Sequence, residues 1–141
     1  MKEKLLVLAR SAPEISVKYQ QLVCVAGITE GGEWRRIYPV PWRIFWKGNQ
    51  TRFKKKWWIE YELVDNKPSD HRPESRRILF NTIRPLGPAK FSDIEMLLGK
   101  HLSCIEKIEA EGASKISLGV VKPTEIICLV RTNNKKYEEL M

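Results

Sequence analysis

A chain of 141 residues with a formal net charge of +8 and 43% hydrophobic residues has the size of one ordinary domain and enough apolar content for a core, which excludes wholesale disorder. Its cysteines, Cys24, Cys104 and Cys128, are odd in number and far apart, so a disulfide framework is excluded and reduced, buried thiols in a cytoplasmic protein are expected. The apolar run Leu5–Ala9 is too short for a secretory signal and follows acidic Glu3, and no run approaches the roughly 20 residues of a membrane span.

Residues 4–9 (KLLVLA) form a short apolar run that predicts a buried strand. Ser11 and Glu14 have the spacing of a capping box, with Pro13 tolerated in the first turn, so a short helix to about Tyr19 is expected. Residues 22–28 (LVCVAGI) predict a second buried strand, and Gly27 within it hints at a bulge or close packing. The turn at residues 29–33 and the strand from Trp34 to Val40 complete a β-hairpin. A helical turn is expected over residues 41–47. The clearest strand runs from Trp57 to Val64, with Trp57, Ile59, Tyr61 and Leu63 facing the core and Trp58, Glu60 and Glu62 facing away.

Residues 65–73 (DNKPSDHRP) form a polar surface loop. A strand over residues 76–83 follows, ended by Pro85 and Pro88. Ser92 with Glu95 and Ser103 with Glu106 repeat the capping-box spacing. They predict two short helices, with Ile94, Leu97 and Leu98 inward on the first and Ile105 and Ile108 inward on the second. Residues 118–121 and 125–131 are β-like. This order predicts one α+β domain over residues 1–132, a small and mostly antiparallel β-barrel with a helical insertion at about 92–111, and a polar tail at 133–141.

Charge is uneven along this frame. Residues 1–77 hold 16 Lys/Arg against 9 Asp/Glu, and residues 78–141 hold 9 against 8. Within the first half, the stretch from Trp34 to Trp58 contains all five tryptophans, eight Lys/Arg and no acid. Cations interleaved with aromatics suit a polyanion whose bases stack, which means single-stranded DNA or RNA. On the strand, Trp34, Arg36 and Tyr38 share a face; Trp42, Arg43 and Trp46 follow at near-helical spacing. Lys54, Lys55 and Lys56 would meet phosphate without sequence preference. Arg35, Trp58, Arg72, Arg76 and Arg77 are further candidates, while Trp57 reads as core. The bland reading is that these tryptophans fill a barrel and the cations form a solvated edge.

No cofactor, metal or catalytic site is expected. Asp70, His71 and Glu74 are near in sequence, but convergent ligands are lacking, and Glu74 reads as a polar latch to an arginine beside a turn-capping Ser75. Gly31 and Gly32 open a hairpin and lack the Lys-Ser/Thr of a phosphate loop. Two other functions stay open: an interaction or oligomerisation module using the tryptophans, and a nucleic-acid-processing enzyme or subunit with Glu74 and His71 near the reaction.

Residues 24–28 (CVAGI), 32–39 (GEWRRIYP), 53–58 (FKKKWW) and 71–76 (HRPESR) together resemble motifs of uncharacterised prokaryotic proteins with a dual OB-containing domain. The resemblance covers about residues 4–80. It implies an OB-like barrel, a fold that commonly uses one sheet face and nearby loops for oligonucleotides. It carries no settled activity. Arg35 departs from the pattern, standing where those proteins have an aliphatic residue. Those relatives also continue into a second β-rich half, so the expectation is either a short version of the pattern or a second half supplied elsewhere, by a homo-oligomer or a separate partner subunit.

Overall fold

The computed structural model describes residues 1–13 and 21–130. The helix expected after Ser11 and the polar tail lie outside these residues. Ser11 itself exchanges hydrogen bonds with Cys24, its amide donating to the Cys24 carbonyl and its Oγ accepting from the Cys24 amide, each at 2.9 Å.

Strands β1 (Lys2–Arg10), β2 (Leu22–Thr29), β3 (Trp34–Pro41), β4 (Trp57–Leu63), β5 (Ser75–Arg76) and β6 (Ile78–Pro88) form one six-stranded sheet in the order β5-β3-β2-β1-β4-β6. All pairings are antiparallel except β3 with β5, which is parallel through Arg36↔Ser75 and Ile37↔Arg76. Only Arg77 separates β5 from β6. The pairings therefore pass from β3 round to β4 and back to β3 through one nearly continuous segment, and the sheet curls into a half-barrel. Register shifts in β1, β2 and β4 provide the bends.

Alternation puts two sets of side chains on opposite faces. Leu5, Val7, Val23, Val25, Ile37, Val40, Ile59, Tyr61, Leu63, Ile78 and Ile83 fill the concave core. Ile44 and Phe45 of the 3-10 turn Trp42–Phe45 close one end of it with Phe53. On the convex face, the cross-strand row Trp34–Ile28–Leu6–Trp58 is covered by helix α1 (Phe91–Gly99) through Ile94, Leu97 and Leu98. Two apolar faces explain why residues 4–9 read as a continuous hydrophobic run rather than an alternating one. Gly27 lies in this row's neighbourhood for a steric reason: a Cβ there would overlap the Leu6 carbonyl. The close packing expected at Gly27 is found.

Several expectations need correction. Strand β6 continues through Pro85 to Pro88, because its far side has no ladder neighbour there and a missing N–H is harmless on an edge. Neither of the capping boxes expected at Ser92 and Ser103 forms. Helix α1 begins after Lys90, and α2 (Ile105–Glu111) after Cys104, both without a side-chain cap. Helix α2 buries no residue, and Ile105 is exposed. Of the C-terminal β-like runs, only Val120–Val121 (β8) is a strand, paired in parallel with Leu102–Ser103 (β7); residues 125–130 have no regular structure.

Candidate nucleic-acid interface

The half-barrel has two chemically different ends. At the start of β1, Glu3 and Arg35 point inward. Arg35 Nε donates to both Glu3 oxygens at 3.0 Å, Nη2 donates to Glu33 at 2.7 Å, and Tyr61 Oη donates to Glu3 at 2.7 Å. Burial, and then the Glu3 charge, push the Tyr61 hydroxyl well above its ordinary pKa. The surface nearby holds Glu3, Glu30, Glu33 and Glu60 together with Lys2 and Lys4, which pair with Glu60 and Glu30. Arg35, expected on a binding surface, is a structural latch: with Ile37 it lies on the concave side of β3.

The other end is basic. A pocket of about 450 Å³ is lined by Val7, Arg10, Trp42, Phe45, Arg52, Phe53, Lys54 and Lys55, with no acid among them. The Arg10 guanidinium lies 4.8 Å from the Trp42 ring centre and 4.4 Å from that of Phe45. Trp46, just beyond the turn, is 60% exposed. Lys56 is exposed at φ +66, its amide bound to the Val7 carbonyl at 2.7 Å.

Between β2, β3, β6 and the loop 64–74 lies a cleft of about 1010 Å³. Its walls carry Arg36, Arg72 and Arg77 and the exposed rings of Tyr38 and Phe80, with Ser11, Cys24 and Asn81 alongside. Among the described residues Asp70 is its one carboxylate. Arg72 holds it through Nε bonds of 3.2 and 3.1 Å and an Nη2 contact, and through its amide at 2.8 Å. These bonds keep the Asp70 carboxyl far below the usual carboxylate range and raise the Arg72 pKa in return. Arg77 makes no ion pair among the described residues.

Arg36 forms the floor. Its Nε lies 3.7 Å from buried Glu74, its Nη2 donates to Ser117 Oγ at 3.0 Å, and its Nη1 lies 3.7 Å from Cys24 Sγ. Ser117 also bonds Glu74. The Glu74–arginine latch expected from sequence is present. Arg36 Nε itself is buried with no hydrogen-bond partner among the described residues. Arg76 is buried and donates to Asn66, to the Pro73 carbonyl at 2.7 Å and to the Ser75 carbonyl at 2.9 Å, pinning the loop rather than facing solvent. Desolvation lowers its pKa.

The expected site is therefore divided. Trp34 and Trp58 are half-buried beneath α1, and Trp34 packs against His101 at 5.1 Å. Alternation placed Trp34, Arg36 and Tyr38 on one face correctly, but only Tyr38 is open. Trp42, Arg43, Trp46, Lys54, Lys55 and Lys56 gather around the basic end. Arg43 joins the two regions, its guanidinium 5.6 Å from the ring centre of Phe80. Sequence reasoning missed Arg10, Arg52 and Phe80. Arg10 ends β1 next to a predicted cap, and Phe80 lies in an acid-free run, residues 75–92, that has only four Lys/Arg and no tryptophan and so stood out less than the stretch from Trp34 to Trp58. Asp70 and Glu74 are engaged by different arginines, and no metal-binding group of three or more His, Cys, Asp or Glu occurs among the described residues. Among those residues no helix is long and apolar enough to cross a membrane.

A family model described as Domain of unknown function (DUF8758) matches residues 1–95, which span β1 to β6, both surface sites and the first half of α1. No curated protein and no solved structure gives a match. The chain belongs to this domain family.

Proposed function

We propose that this member of a family of unknown function is a non-catalytic binder of single-stranded DNA or RNA with an OB-type barrel. The strand ring β1-β2-β3-(β5/β6)-β4 follows the Greek-key order of that fold, which commonly receives oligonucleotides on its β2–β3 face and the loops beside it. The observation that carries the reading is the cleft on that face, where Arg72 and Arg77 stand beside the open rings of Tyr38 and Phe80. Cations take the phosphates, and each stacked base contributes roughly 1–3 kcal/mol. Cys24, Cys104 and Cys128 are free thiols, in keeping with a reducing, cytoplasmic setting, but they are not buried as expected: Cys24 is partly exposed, and Cys104 and Cys128 are exposed.

Fluorescence anisotropy with short labelled single strands, titrated against salt, tests this. Binding should tighten as salt falls and weaken in Tyr38→Ala, Phe80→Ala and Arg77→Gln. Absence of binding at low salt, or unchanged affinity in all three folded variants, rejects it.

A second reading is a module that assembles with protein. The tryptophans do not favour it, because they form no common patch. Residues 126–130 do: Ile126, Ile127, Leu129 and Val130 are 72–98% exposed. Light scattering of the full chain and of a chain ending at Val121 tests it; a monomer in both cases rejects it.

A further inference from the structure

We propose that the basic end pocket is a second subsite for the same strand, so that one single-stranded nucleic acid runs from the cleft, past Phe80 and Arg43, onto Arg10 and Trp42. The inference rests on the nucleic-acid reading above and gives that reading a path and a direction.

The pocket of about 450 Å³ lies within the usual range for small-ligand sites. Its cations, Arg10, Arg52, Lys54 and Lys55, form no ion pair among the described residues, so nothing within them neutralises the field they project. Arg10 already lies over two aromatic rings, at 4.8 and 4.4 Å from their centres, which holds its guanidinium at the pocket where a base can stack. The link to the cleft is short in chain and in space: Trp42 lines the end pocket, Arg43 is the next residue, and Arg43 covers Phe80 of the cleft wall. Electrostatics sets the direction. A strand leaving the cleft the other way would approach a surface where Lys2 and Lys4 are already paired with Glu60 and Glu30, and Glu3 and Glu33 with Arg35, so among the described residues it would meet no unpaired cation like those of the end pocket.

The test compares strands of about 4 and about 12 nucleotides, spanning reported site sizes for this kind of barrel, on the full chain. The variant Arg10→Gln/Arg52→Gln/Lys54→Gln changes three exposed side chains and breaks no ion pair among the described residues. The longer strand should bind it more weakly, with the slope of log K against log salt reduced by about 2, or about 0.7 for each cation removed. The shorter strand should bind as it does to the unaltered protein. Arg77→Gln, in the cleft, should weaken both. If the longer strand still binds with an unchanged slope in the triple variant while Arg77→Gln weakens it, the second subsite is wrong and the cleft reading stands. If neither strand binds the unaltered protein at low salt, the nucleic-acid reading falls and takes the subsite with it.

Discussion

Replacing Arg35 by alanine separates structure from recognition at the position where sequence placed a binding residue. In the folded chain this guanidinium is 6% exposed and reaches Glu3, Glu33 and the Trp34 carbonyl. Removing it leaves Glu3, whose side chain is 13% exposed, as an inward carboxylate with only the Tyr61 hydroxyl as donor. Breaking a buried pair by deleting one partner costs about 3–5 kcal/mol. Because Tyr61 still serves Glu3, and because Glu33 is solvated, the lower end applies, about 3 kcal/mol. With a urea dependence of about 2 kcal/mol per molar for a domain this size, the unfolding midpoint should fall by about 1.5 M. Urea titration followed by tryptophan fluorescence measures the shift, and strand binding at zero urea measures recognition on the same samples. Replacing the pair together, Arg35→Met with Glu3→Leu, should recover much of the loss, since a well-packed apolar pair can substitute for buried ions. A midpoint shift below about 0.3 M, with affinity for single strands lost instead, would refute the latch and return Arg35 to the binding surface.

The remaining expectations concern pH, backbone strain and the cleft. Tyr61 holds its proton more tightly folded than unfolded, so its contribution is complete below its ordinary pKa near 10 and is lost as pH rises toward the higher folded value. Tyr61→Phe should therefore flatten the alkaline fall in stability by up to about 1.4 kcal/mol per pH unit, read from urea midpoints above pH 10; an identical alkaline slope contradicts the buried hydroxyl. Lys56 adopts φ +66, so Lys56→Gly should raise stability by about 1 kcal/mol, visible as a higher Tm, whereas a drop would show that the lysine stem packs usefully there. Asp70→Asn releases Arg72 from its carboxylate, and single-strand affinity should rise with a salt slope steeper by about 0.7; unchanged binding would place Arg72 outside the contact set.

The sheet was largely legible because alternation is a local signal. The hairpin of β2 and β3, the inward set Ile59, Tyr61 and Leu63, and the close packing at Gly27 could be read from neighbouring residues. The helix interiors were legible where an apolar stripe met a sheet, as at Ile94 and Leu97, and failed at Ile105, whose stripe meets nothing buried. The site was harder because its chemistry depends on distant partners. Arg35 looked like a surface cation because Glu3 lies 32 residues away in sequence. Trp34 and Trp58 looked like stacking platforms because nothing local says which row α1 will cover. Arg10 and Trp42 come together only when two chain segments close the same end of the barrel.

The covering of that row by α1 bears on where the domain can be cut. The homologous region ends at residue 95, midway along the helix, but buried Leu97 and its neighbour Leu98 come after it. A fragment trimmed to the region shared with relatives would leave Leu6, Ile28 and two indole rings facing water along one stripe. Such a fragment should be sticky in solution and should bind hydrophobic dyes. Extending it to Lys100, one further turn, restores the lid, so the smallest fragment that keeps this row covered is longer than the region that the family model matches.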